Sequence, residues 1–121
     1  MPDRDAALAI ERRLAAIRHA FLDRAADELS ELEALNAGQM DTGAREAVLS
    51  TVHRLAGSAG TFGLAPVSAA AGALEDALRA EGAGAADVGA LLTEHLPALA
   101  LALARAATDE RAGRAVGERD A

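Results

Sequence analysis

The chain contains no cysteine, no tryptophan, no tyrosine and no lysine. Without cysteine, disulfides, thiolate metal sites and cysteine nucleophiles are excluded together. Without lysine no Walker-type phosphate loop can be built, which excludes a kinase activity of the chain's own. Aromatic residues make up only 2% of the chain against 51% apolar residues in all, so a core must consist of leucine and alanine packed closely, which suits helices better than strands. No uninterrupted apolar run of about 18 residues is present. Nor does a basic start lead into a short apolar stretch, so neither a membrane span nor a secretory leader is expected, and a cytoplasmic location follows. Positive charge is also scarce: the net charge is −7 and the pI about 4.8, the wrong sign for nucleic acid as a partner.

What is present is helical periodicity. At 121 residues the length suits one domain with a modest core and leaves no room for a nucleotide-binding catalytic domain beside it. From Arg4 to Asn36 there is no Gly or Pro, and Ile10, Leu14, Ile17, Phe21, Ala25, Leu29, Leu32 and Leu35 keep one stripe in steps of three and four, with Asp3 as an N-cap. Such a helix measures about 50 Å at 1.5 Å per residue, so either it breaks near Ala15–Ala20 or its first turns overhang the other segments. Asn36-Ala37-Gly38 ends it, Asp41 or Thr42 caps a second helix over Gly43–Thr61, and Gly63-Leu64 forms a turn. Pro66 opens a third helix with Val67, Ala70, Ala71, Leu74 and Leu78 inward, which stops at Glu81-Gly82-Ala83-Gly84. A fourth starts near Ala85 and turns Val88, Leu92, Leu96, Leu99, Leu103 and Ala106 inward, with a kink or short break near Thr93–Leu96 expected from Pro97.

Short connections make neighbours antiparallel. The expected fold is therefore all-α: an antiparallel up-down four-helix bundle with an N-terminal helical extension over residues 1–108. The charged, glycine-containing segment 109–121 has no stripe and is expected to fray or be a disordered tail. His19 reads as a solvated residue, His95 as a partly buried one at the edge of a stripe, and the acidic residues of the first helices, with Asp109 and Glu110, as solvated faces.

The third histidine is different. Val48, Val52, Leu55, Ala59 and Phe62 fall within about 40° of a common direction on a helical wheel, whereas His53 points about 140° from Val48. Its neighbours on that outer side are Ala56, Gly57 and Gly60. A glycine inside a helix costs roughly 1 kcal/mol relative to alanine, and here there are two. They either allow close helix packing or clear ground around the imidazole for a partner. His53 is poorly placed for a metal within this helix, since three and four residues away stand Ala56, Gly57, Ser50 and Leu49. Ala56-Gly57-Ser58-Ala59-Gly60 is no nucleophile elbow either, because no strand precedes the serine.

The run His53-Arg54-Leu55-Ala56-Gly57-Ser58-Ala59-Gly60-Thr61-Phe62-Gly63 resembles the motif of the histidine phosphotransfer (HPt) family, His-x-Leu-Lys-Gly-Ser-Ala followed by a segment ending in Gly. Phe21–Glu33 and Ala73–Leu78 resemble the family's helices before and after it, and roughly residues 10–107 are covered in all. One departure is that Ala56 stands where the family usually has Lys, and no other lysine replaces it.

The resemblance implies a four-helix bundle that relays a phosphoryl group between receiver-domain aspartates, with His53 as both acceptor and donor. It also implies docking of receiver domains of response regulators and hybrid kinases over Leu49, Ser50, Ala56, Gly57 and Gly60. The chain is expected to be a monomer, to need no cofactor or metal of its own, and to rely on Mg²⁺ brought by the receiver. Arg54 points about 100° away from His53 around the helix and is not expected to replace the lysine. The resemblance also leaves open a phosphoacceptor module of a chemotaxis-type kinase, or a protein that binds receivers or kinases without transfer.

Overall fold

A computed structural model describes residues 2–80 and 84–120. Four helices follow one another: α1 (Pro2–Ala37), α2 (Thr42–Thr61), α3 (Ala65–Arg79) and α4 (Ala85–Asp120), with no strand among the described residues. They form the antiparallel up-down bundle that the short connections imply. α2 lies most extensively against α3, α3 against α4 and α4 against α1.

The core is aliphatic, as the scarcity of aromatics demands. Leu32, Val48, Val52, Leu55, Val67, Leu74, Leu92 and Leu99 are the largest fully buried side chains, and each helix contributes. Burying a residue of this kind stabilises the fold by about 1.5–3 kcal/mol. The two phenylalanines meet each other across α1 and the end of α2, with ring centroids 5.2 Å apart and planes tilted by 45°, a separation within the range of favourable aromatic pairs.

α1 does not break. It runs for 36 residues, about 54 Å, while α2 and α3 have 20 and 15, so the upper half of α1 has nothing beside it on the α2–α3 side. Ile10, Leu14 and Ile17, expected in the stripe, are consequently 58%, 47% and 48% exposed, whereas Phe21 directly below them is 3% exposed. Asp3 lies in the first helical turn with Asp5 rather than before it, where the partial positive charge of the helix start favours acids.

α4 also runs further than expected. It is helical through Pro97, which faces solvent, because the buried Leu92, Leu96 and Leu99 hold both sides of that point against the bundle. One missing backbone hydrogen bond there is tolerated without a break. Nor does the helix end after Thr108. It continues to Asp120, and Glu110 is drawn into the structure by Arg18 of α1 at 3.3 Å. Within Ala86–Gly113 α4 is long and apolar enough by composition to cross a membrane, an 18-residue stretch of it having mean hydropathy 1.3. About a third of that window is buried, its Val88, Leu92, Leu96, Leu99 and Leu103 packing against the other helices, whereas Leu101 is exposed. Most of the expected stop at Glu81–Gly84 lies outside the described residues.

Candidate functional site

α2 is fixed at both ends. Asp41 caps it by accepting a hydrogen bond from the Ala44 amide at 2.8 Å, and the chain leaves it through Gly63, whose φ of 71° suits glycine. Between these ends Val48, Val52, Leu55 and Ala59 are fully buried, which turns the opposite face outward. His53 stands on that face with 67% of its side chain exposed.

The imidazole is not alone. Glu75 of α3 reaches across to it, its Oε2 hydrogen-bonded to His53 Nδ1. The same oxygen accepts from Arg79 Nε at 3.2 Å and Nη2 at 3.1 Å, one turn further along α3. The imidazole hydrogen bond is the main cause that holds the Glu75 carboxyl below its ordinary range. Partial desolvation opposes this, and Arg79 adds to it. Glu75 is therefore a carboxylate and can only accept, so the neutral ring carries its proton on Nδ1 and its lone pair on Nε2. That second nitrogen is the one left unengaged.

Around the ring the ground is low. Gly57 is exposed, and a Cβ placed on it meets nothing within 4 Å, so helix packing does not require glycine there. Gly60 differs: a Cβ placed on it lies 3.4 Å from Ser68 Oγ, and that hydroxyl donates to the Ala56 carbonyl at 3.1 Å. Gly60 thus also serves the close approach of α3 to α2. Ala56 and Leu49 are half-buried and Ser50 is exposed, so the five expected docking positions share the helix of His53 and leave its outer face uncrowded. Arg54 turns away to α1 and pairs with Glu28 at 3.3 Å.

Glu28, only 7% exposed, and Glu110 are therefore not solvated faces: each neutralises an arginine of a neighbouring helix. His19 is exposed and lies 3.5 Å from Asp23, and His95 is half-buried. Among the described residues no group of three or more His, Asp and Glu side chains could hold a metal ion.

Sequence reasoning missed Glu75 and Arg79. Their four-residue spacing marks a pair along one helix, but which face of α3 looks toward His53 depends on how the two helices are rotated against each other.

The described helices thus form an antiparallel bundle that presents His53 on an exposed face, its Nδ1 hydrogen-bonded to Glu75. The family model for the Hpt domain matches residues 16–111, most of the chain, and the protein belongs to that family of phosphotransfer modules of two-component signalling. Neither a curated protein nor a solved structure matches the chain.

Proposed function

We propose that this protein relays a phosphoryl group between the aspartates of two receiver domains, with His53 as the carrier. Nε2 attacks the phosphorus of a phosphoaspartate; the P–O bond to the aspartyl carboxyl breaks, the carboxylate is restored, and a P–N bond forms on the ring. The reverse step delivers the group to the second receiver. The attack needs a lone pair on Nε2, and the hydrogen bond from Nδ1 to the Glu75 carboxylate favours the tautomer that has it. Mg²⁺ and the acidic pocket are the receiver's contribution.

The observation that carries this reading is the single ring nitrogen left open on uncrowded helix surface, with the other nitrogen tied to Glu75. Glu75 fixes the tautomer and orientation that the attack needs, and Arg79 fixes Glu75, acting as a positioning residue through it. Leu49, Ser50, Ala56, Gly57 and Gly60 form the ground on which the receiver lands. Because Ala56 offers no cation to the phosphoryl group, screening of that group falls to the receiver while the two are bound. Receiver domains place the protein in the cytoplasm.

The test is phosphotransfer from a phosphorylated receiver. His53→Gln abolishes acid-labile label on the protein, and label persisting there identifies another acceptor. Gly57→Arg keeps the fold and slows transfer at least tenfold; transfer at the wild-type rate refutes the landing ground.

A further inference from the structure

The uncovered half of α1 is not a random apolar surface. Ala7, Ile10, Leu14, Ile17 and Phe21 follow one another in steps of three and four, the spacing of a coiled-coil seam. Phe21 is buried and the next two members above it, Ile17 and Leu14, are about half exposed, because α2 and α3 end at the Gly63 turn. α1 and α4 leave the bundle together at that end, joined by Arg18 and Glu110 at 3.3 Å. From Asp109 to Asp120 the sequence of α4 holds Val116 as the only apolar residue larger than alanine.

We propose that this overhang is the interface between two copies of the chain, packed antiparallel. The α1–α4 pair of one copy then supplies the two helices that α2 and α3 no longer supply to the other, and a four-helix cross-section is restored. In this register Ile10 of each copy meets Leu14 of the second, and Ala7 meets Ile17. The tip of each α1 stops at the second copy's Gly63 turn, beside the exposed Leu101 and a groove of about 410 Å³ lined also by Leu64, Pro66 and Arg105.

Charge selects both the occupant and the orientation. Residues 3–18 carry four arginines and three acids, and 109–120 carry three arginines and four acids, so the overhang is neutral and the whole net charge of −7 resides in residues 19–108. Two such bundles repel each other. An antiparallel pair holds them at opposite ends and brings only neutral surfaces together, leaving both His53 faces open. The dimer replaces the monomer expected from family resemblance.

Sedimentation of the full chain at hundreds of micromolar tests this. The expected result is twice the chain mass, falling to the single-chain mass in Leu14→Glu and in Ile17→Glu with helical circular dichroism and His53 labelling by a receiver unchanged. Since the chain has no cysteine, Ile10→Cys and Leu14→Cys chains mixed under oxidation should cross-link to each other more than either does to itself. A single-chain mass for the wild type overturns the proposal, and so does a dimer that survives Ile10, Leu14 and Ile17 all changed to Glu. Flotation of a single-chain wild type with anionic phospholipid vesicles also overturns it, in favour of a membrane surface. Retained labelling of His53 in these variants keeps the outcome separate from the relay reading.

Discussion

The two halves of α1 obey one sequence rule and meet opposite fates. From Phe21 down, the stripe faces the other helices, with Phe21, Ala25 and Leu32 buried and Leu29 and Leu35 half-buried; above it the same stripe, continued without a change of spacing, is about half exposed. Periodicity tells which side of a helix is apolar. Whether that side is covered is decided by the lengths of the other helices, and here α2 and α3 stop after 20 and 15 residues. The outer face of α2 makes a third case: it is open because its side chains are small, so its exposure costs little apolar surface and leaves a reactive ring in reach.

The sharpest way to break the comparison is to truncate both halves of α1. Leu32→Ala, in the fully buried half, should cost about 2–5 kcal/mol through lost burial and the cavity left behind. Leu14→Ala, measured in urea at a concentration low enough to give single chains, should stay within about 0.5 kcal/mol of the wild type. Similar losses at both sites would mean that the upper half is covered after all within one chain.

Most of the bundle was legible in the residues. The four stripes, the Asp41 cap and the turn at Gly63 are local signals, and local signals survive folding. Ile10, Leu14 and Ile17 were misplaced because cover is a property of the partner helices. α4 continues through Pro97 and past Thr108 because packing of Leu92–Leu99 and the Arg18–Glu110 pair outweigh weak local breakers. In the site, His53 and Gly57 could be read from their own helix. Glu75 could not, since it lies 22 residues away and reaches the ring only through the rotation of α3 on α2.

That cross-helix contact gives a second comparison, between the ring nitrogen that is held and the one that is free. Glu75→Gln should slow phosphorylation of His53 several-fold and raise the share of the Nε2–H tautomer, read by ¹⁵N shifts of the ring. Arg79→Gln should do the same to a lesser degree, and Arg79→Lys should recover part of the loss. A rate change without any tautomer change would place Glu75 in docking instead.

The acid limb offers a separate check on the same carboxylate. Glu75 has its folded pKa lowered from the ordinary 4.5, so its contribution to stability is complete above that value and is lost as pH falls through the lowered one. The stability difference between wild type and Glu75→Gln should therefore be steady just above pH 4.5 and shrink below it. A difference that grows on acidification has the wrong sign for a carboxylate held by His53 and Arg79.

The smallest effect separates the two glycines. Alanine at Gly57 meets nothing within 4 Å, so it should gain roughly 0.5–1 kcal/mol from helix propensity alone, read as a rise in the urea midpoint. Alanine at Gly60 presses at 3.4 Å on Ser68 Oγ, which cannot retreat without giving up its hydrogen bond to the Ala56 carbonyl, so the gain there should be smaller or absent. Position near the helix end also reduces the propensity gain at Gly60, which is why the decisive measurement is a double-mutant cycle. In a Ser68→Ala background the hydroxyl is gone, and Gly60→Ala should become more favourable than in the wild type. If the cycle shows no coupling, the approach of α3 does not limit the residue at position 60, and both glycines then belong to the open ground around His53.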